Sequence, residues 1–537
     1  MAMMDVQLNS WLLFDHAPRH FGTTEVVTHF GPEGVHRYTY SDFARRTQQL
    51  MHALDQLGIT KGERVATLAW NSYRHLECYF GVPCSGRILH TLNLRLSPAE
   101  LGWIIADADD RALLVDLDLV PLLERIPAAD LRGVERIVVL SERVPDSSIP
   151  GLLAYEELLA EQPASYPPPD IDERSPLGLC YTSGTTGRPK GAVYTHRSTV
   201  LHSLVASSAA GLGIGPQDCI LPQVPMFHVN AWGMPYAGAA TGAKQVFLAG
   251  PLDPRCLVDL LFEEQVTIAA GVPTVWLTVA EELARRGHRP PALRYIIVGG
   301  AQPPRSLIER YQNEFDIPIV QAWGMTETSP LGGVAWPKHE MRDWDAERLT
   351  TTVRTQAGLP VPGISVSIRD AAGVELPFDG KTMGELCVRG PWVIDSYWKG
   401  AGSEQFTADG WFRTGDIAVG SPEGYFVIAD RTKDLIKSGG EWISSVDLEA
   451  DIMAMPEVAE AAVVAMPDPR WQERPLAFVV LRSGATVTLE QLREHLEKRG
   501  WQRWQLPDRV QIIDAIPKTS VGKFDKKVLR GREGSVS

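Results

Sequence analysis

The chain lacks any stretch of about eighteen uncharged apolar residues, the length a helix needs to cross a bilayer, so no membrane span is expected. Its start, Met1 to Val6, lacks the basic-then-apolar order of a secretory leader. Cysteine is scarce: the six, at positions 78, 84, 180, 219, 256 and 387, show neither C-x-x-C nor histidine-paired spacing, which argues against a disulfide frame or a zinc site. Most lie in apolar runs and read as reduced core thiols of a cytoplasmic protein. A basic excess is missing too. With 52 Lys and Arg against 66 Asp and Glu, a formal charge of −14, a nucleic acid or anionic membrane would be met against the overall field, so any anion site must be local. Also absent is the phosphate loop of nucleotide hydrolases, G-x-x-x-x-G-K-[ST] leading into a helix. Gly187 is followed by Arg188, Pro189 and Lys190, and Gly522-Lys523 by Phe524, which disfavours a kinase-like or GTPase-like site.

What is present is the run from Tyr181 to Gly191, YTSGTTGRPKG. It holds three glycines, hydroxyls at Thr182, Ser183, Thr185 and Thr186, and cations at Arg188 and Lys190. Glycines permit tight turns, N–H and O–H donors face outward, and the cations offset an anion, so the run reads as a phosphate cradle. Most Gly/Ser/Thr clusters are merely solvated loops. Here the apolar residues 177–180 before it and 192–194 after it read as buried strands, which would hold the loop rigidly.

At 44% hydrophobic and 22% charged residues the composition is that of a globular protein, and the length suggests roughly three to four structural units. Residues 1 to 175 alternate helices, such as the run opened by Ser41, with short apolar strands at 64–69, 113–116 and 134–140, and the Pro-rich 166–170 reads as a linker. Alternation continues to residue 357, with apolar strands at 295–298 and 317–320 running into Gly299 and Gly324. Ligands of open α/β sheets bind beyond such strand ends. From 358 to 429 short strands and turns dominate. After Asp430 and Arg431 comes a compact α+β unit with helices at 445–453 and 489–498. The expected fold is therefore α/β: an N-terminal domain, 1–429, of two α/β sheet lobes (1–175 and 176–357) and a β-rich lobe (358–429), with a small mobile α+β C-terminal domain, 430–537.

Five ordered stretches, Tyr181–Gly191, Trp323–Thr328, Gly384–Leu386 with Tyr397-Trp398, Thr414–Asp416 with Asp430–Asp434, and Pro517–Lys523, resemble the adenylate-forming superfamily of acyl-CoA synthetases, luciferases and peptide-synthetase adenylation domains. The resemblance covers essentially the whole chain. Within that superfamily His90–Arg95, Met226–Trp232, Lys437–Ser445 and Trp471–Pro475 are similar to the medium- and long-chain fatty acyl-CoA synthetases and to bacterial 3-methylmercaptopropionate ligases. The activity implied is AMP-forming ligation of ATP, a carboxylic acid and CoA through an acyl-adenylate, the acid being a short or medium aliphatic one such as 3-methylmercaptopropionate. The alternatives are a long-chain fatty acid, or a carrier protein as acyl acceptor.

The resemblance also implies roles. Thr182, Ser183, Gly184, Thr185, Thr186, Gly187 and Lys190 would hold the β- and γ-phosphates, with Thr182 and Glu327 sharing a Mg²⁺. By itself Glu327 also suits a helix N-terminus, where an acid balances the dipole. Gly300, Ala301, Gln321, Ala322, Trp323, Gly324 and Thr326 would line the adenine site; Trp323 stands where relatives commonly carry tyrosine, and an indole keeps the π-face. Asp416 and Arg431 would meet the ribose. Lys523, with Glu327 and His228, is a catalytic candidate; as composition alone its segment reads as a solvated basic tail. Lys433, Lys437, Ser438, Gly439, Gly440, Glu441 and Trp442 would form the lid and CoA passage. Val229, Trp232, Gly233, Tyr236, Met325, Pro330 and Leu331 would wall the acyl pocket. A homodimer joined through the N-terminal lobes completes the expectation.

Overall fold

The computed structural model describes residues 3–182, 188–431, 433–438, 441–519 and 524–531, and of Glu441 the main chain alone. Two large sheets carry the N-terminal part. One has seven strands in the order Leu153–Ala154, Arg136–Val139, Asp110–Val115, Arg64–Leu68, Ile88–Thr91, Pro176–Tyr181 and Gly191–Thr195, parallel except for the last pair. Its strands are mostly apolar because both faces are covered. Leu114 faces the core shared with the other sheet, whereas its neighbours Leu113 and Val115 pack with Leu101, Ile104 and Ile105 of the helix Pro98–Ala108.

The second sheet has nine strands, Leu359–Pro360, Leu331–Val334, Ile319–Gly324, Tyr295–Val298, Ile268–Gly271, Cys219–Pro222, Lys244–Leu248, Glu25–His29 and Val35–Thr39. Between the sheets lies one apolar core to which the helices Trp11–Phe21, Tyr40–Gln56, Tyr73–Gly81 and Met234–Thr241 contribute Phe14, Phe43, Phe80 and Tyr236. The sheets do not respect the lobe boundary expected at residue 175. Pro176–Tyr181 and Gly191–Thr195 finish the first sheet, and Glu25–His29 pairs in parallel with Lys244–Leu248 of the second. Alternation of strand and helix reveals which segments are strands but carries no information about a partner more than two hundred residues away. The helix Tyr40–Gln56 likewise starts one residue before Ser41, because Thr39 caps it: its hydroxyl accepts from Asp42 N–H while the Asp42 carboxylate accepts from Thr39 N–H.

A four-stranded antiparallel sheet follows, Ser365–Arg369, Met383–Arg389, Phe412–Gly420 and Phe426–Arg431. The C-terminal unit is a five-stranded sheet of Glu441–Ile443, Ile436–Ser438, Gln472–Leu481, Val458–Asp468 and Arg509–Ile512, with the helices Ser445–Met453 and Leu489–Lys498 on its core. Where it leaves the preceding strand, Asp430 is 2% exposed, and its carboxylate accepts from the Ser445 N–H (2.7 Å) and hydroxyl (2.5 Å). All six cysteines are free, and no helix among the described residues is long and apolar enough to cross a membrane.

One buried ion pair stands out inside the first core. Glu77, 0% exposed, accepts from Arg46 Nε (2.6 Å) and from the Tyr155 hydroxyl (2.7 Å). Removing the cation leaves a charge that burial already disfavours. Arg46→Met is expected to lower unfolding stability by about 3–5 kcal/mol in urea titration; a loss below about 1 kcal/mol would show that Tyr155 alone satisfies Glu77.

Candidate active site

The Pro176–Tyr181 and Gly191–Thr195 hairpin closes the neck of the Gly/Ser/Thr loop. Thr182 N–H donates to the Lys190 carbonyl (2.9 Å), and Lys190 N–H donates back to the Thr182 hydroxyl (3.3 Å). The Lys190 ammonium lies over the Tyr397 ring (5.2 Å to its centre) and bonds Glu404 (2.9 Å). Ser183, Gly184, Thr185, Thr186 and Gly187 lie outside the described residues. Thr182, Arg188 and Lys190 wall one end of a cavity of about 310 Å³.

Glu327 also lines that cavity, 7% exposed, on the short 3₁₀ turn Thr326–Thr328, and its carboxylate accepts from the Tyr397 hydroxyl at 2.5 Å. Burial pushes its pKa up, and the Tyr397 hydrogen bond pulls in the opposite direction. The charges acting on Glu327 are the Arg431 guanidinium, which favours its ionised form, and the Asp416 carboxylate, which opposes it. Tyr397 is the site residue the sequence reading missed as such, although Tyr397-Trp398 was among its ordered stretches. Thr326 also faces the cavity, and its carbonyl accepts from the Tyr194 hydroxyl (2.8 Å).

Beyond Gly324 the cavity joins a larger crevice of about 840 Å³, the two sharing Gly300, Ala322, Trp323, Gly324, Arg431 and Lys433. Ala301, Gln321 and Asp416 line the crevice. Trp323, 8% exposed, donates its indole N–H to one Asp416 oxygen (3.3 Å), and Arg431 pairs with the other (3.2 Å). Its ring lies so close over Gly332 that a Cβ there would stand 2.4 Å from it. The Gln321 side-chain oxygen is buried without a protein partner among the described residues, so it can accept from a ligand N–H. Burial, with Arg431 and Arg530 adding to it, depresses the Lys433 pKa to about 8.

The other end of the smaller cavity is apolar: Leu212, Val229, Trp232, Met325, Pro330 and Leu331, with half-buried His228 at its edge. Val229 to Trp232 form a left-handed turn, φ 47°, 51°, 47° and 57°, ended by Gly233 at φ 72°. Non-glycine residues pay about 1–2 kcal/mol each in that region, which Asn230 tolerates best. Asn230 is tied down, its side-chain oxygen accepting from Cys180 Sγ (3.4 Å) and its carbonyl from Gly233 N–H (2.8 Å). The turn lays the Trp232 indole against Gly299, where a Cβ would approach it to 3.0 Å. Two expected wall residues are elsewhere. Tyr236 is 1% exposed in the inter-sheet core, its ring stacked on Tyr79 and its hydroxyl bonded to the Tyr79 carbonyl (3.1 Å), because its helix turns that face inward. Gly233 is spent on the end of the turn, packed against the His202 ring.

Of the expected lid residues Lys433 lines both cavities, while the described ones that follow it line neither. Lys437 and Trp442 pair across the Ile436–Ser438 and Glu441–Ile443 hairpin, the ammonium 5.4 Å from the ring centre, with Trp442 47% exposed. Ser438 is buried and accepts from Arg474 (2.9 Å). Gly439, Gly440, Lys523 and the Glu441 side chain lie outside the described residues, while Thr519 and Phe524 line the larger crevice.

A family model for AMP-binding enzymes matches residues 13–398, and one for the AMP-binding enzyme C-terminal domain matches residues 447–523. The chain is similar to a long-chain-fatty-acid–CoA ligase of Thermus thermophilus, 48% identical over 98% of this chain and 96% of that one. It is also similar to a 3-methylmercaptopropionyl-CoA ligase of Ruegeria pomeroyi, 42% identical over 96% of each chain. Among solved structures, ATP-bound MatB from Rhodopseudomonas palustris aligns with a TM-score of 0.83 at 25% identity, over 97% of this chain and 98% of that one.

The Tyr397 hydrogen bond favours the ionised form of Glu327, so its loss raises that pKa further. In Tyr397→Phe the acid limb of the kcat/KM profile for ATP is expected to move to higher pH, leaving activity at pH 8 less affected than at pH 6. An unmoved limb would detach Glu327 from the chemistry.

Proposed function

The chain belongs to the AMP-binding enzyme family as an AMP-forming acyl-CoA ligase, and we propose that the acid it activates is a short or medium aliphatic one such as 3-methylmercaptopropionate. The observation that carries the choice of acid is the apolar end of the smaller cavity. About 310 Å³, which must also admit the reacting phosphate, leaves little room for a chain while the Trp232 indole rests on Gly299. A long-chain acid is the second reading, favoured by the 48% identical Thermus thermophilus relative, and it requires that indole to leave.

In the first step an oxygen of the carboxylate attacks the α-phosphorus of ATP and pyrophosphate departs. In the second the CoA thiolate attacks the acyl carbonyl and AMP departs. Both partners of the first step are anions, so positioning and charge compensation dominate. Thr182, Arg188 and Lys190 supply donors and charge for the departing pyrophosphate. Glu327 and the Thr182 hydroxyl fit a Mg²⁺, since a buried carboxylate held by one tyrosine gains from a cation. That ion would supply further compensation on the phosphate oxygens. Trp323 and the unpartnered Gln321 oxygen suit adenine, and Asp416 with Arg431 the ribose. His228 orients the carboxylate at the cavity edge.

Lys523 serves the first step only, on a C-terminal domain, residues 430–537, that reorients about Asp430 so that the Lys437–Trp442 turn serves the second. The enzyme works in the cytoplasm as a homodimer, which light scattering checks.

Two measurements test the reading. Pyrophosphate release across acids from acetate to palmitate, with 3-methylmercaptopropionate included, is expected to give the highest kcat/KM at or below medium chain length, and Trp232→Ala to move the optimum to longer acids. An optimum at palmitate in the unaltered enzyme would select the long-chain reading. Lys523→Ala is expected to lose acyl-AMP formation yet convert supplied acyl-AMP to thioester; equal loss of both steps would sink its assignment.

A further inference from the structure

The helix Pro98–Ala108 lies outside everything assigned so far, yet it touches both ends of the phosphate loop. Trp103 and Asp107, four residues apart, share one helix face. The Tyr181 hydroxyl, at the entry to the loop, donates to the Asp107 carboxylate at 2.6 Å. The Tyr181 ring meets Trp103 edge-on, with ring centres 6.3 Å apart. At the exit, the exposed Arg188 guanidinium lies 5.4 Å from the centre of the Trp103 ring. No carboxylate pairs with Arg188 among the described residues, and Arg188 lines the smaller cavity, so its charge is held by an aromatic face and left uncompensated. The helix end is itself anchored: the Asp107 carbonyl accepts from Trp398 Nε1 (3.1 Å) and from the Lys399 ammonium (2.7 Å), a cation where the helix dipole favours one.

We propose that Trp103 and Asp107 are positioning residues for ATP. Asp107 fixes Tyr181 where the chain enters the loop, and the Trp103 ring holds the Arg188 guanidinium at the cavity edge, placed in advance for a phosphate. An ion-paired arginine would have to break its pair to bind; one resting on a ring does not. The proposal rests on the reading that the loop grips ATP.

A double-mutant cycle tests it by pyrophosphate release with Mg-ATP. Trp103→Leu is expected to raise KM for ATP about fivefold, with kcat and the KM for the acid within about twofold, and the Trp, Tyr, Phe series to rank KM for ATP by the strength of the π-face. In an Arg188→Ala background, Trp103→Leu adds nothing. A rise in both KM values, an unranked series, or a full additional effect on Arg188→Ala overturns the proposal and leaves Trp103 a packing residue. Arg188→Ala with an unchanged KM for ATP would instead remove Arg188 from the phosphate site, and the clamp with it. Because Tyr and Phe keep the ring, the series decides the matter even where the leucine variant does not fold.

Discussion

Everything in the site depends on the closure of one hairpin neck. Thr182 and Lys190 exchange hydrogen bonds at the point where two antiparallel strands leave the seven-stranded sheet, so the loop between them has fixed ends. Fixed ends place the Lys190 ammonium over Tyr397, and Tyr397 in turn holds Glu327. Cation, ring, hydroxyl and carboxylate thus form a single chain drawn from the first sheet, the segment between the second and third strands of the four-stranded sheet, and the turn after Gly324. A phosphate needs donors and positive charge that do not have to rearrange on arrival. Strand pairing fixes the two residues, Thr182 and Lys190, from which such donors and charge would be presented.

Much of this was legible in the residues. Parallel strands buried on both faces announce themselves as unbroken apolar runs, and the segments 177–180 and 295–298 were readable for that reason. The helices at 445–453 and 489–498 have Ser444 and Thr488 caps and apolar residues at helical spacing, Leu448 and Ile452 in the first, Leu489, Leu492 and Leu496 in the second. Glu327, Trp323, Asp416 and Arg431 were reachable through ordered motifs, and the structure brings them to one connected space. Strand pairing was not legible: Glu25–His29 looks like any first-lobe strand, and only its register with Val246 and Phe247 gives it to the other sheet. Side-chain direction was equally hidden. Tyr236 follows Trp232 by one helical turn, but a chain that passes through four left-handed residues loses the periodicity from which its facing could be inferred. Trp103 and Asp107 gave no sign because their role is contact with a segment some eighty residues away.

The two ends of the smaller cavity obey opposite rules. The phosphate end is polar, charged and held by hydrogen bonds with defined angles; the acyl end is apolar and held by packing, which has no direction of its own. Gly299 and Trp323 stand where these regimes meet, one lacking the side chain that would displace the Trp232 indole, the other carrying a ring wedged over Gly332. In the proposed reading, substrate choice and nucleotide grip would rest on different forces within a few residues of each other, so that one could change without the other.

The left-handed turn at Val229–Trp232 has an effect on what size means for this pocket. Residues with side chains occupy that conformation only because their surroundings outweigh its cost. A ligand that competes for the space of the indole is then opposed by less than a relaxed wall would offer, since part of the penalty is returned when the turn opens. Under the proposed acyl reading, chain-length preference would depend on how readily that turn opens, and substitutions at Asn230 or Ala231, which line neither cavity, would retune it by changing the strain the turn carries.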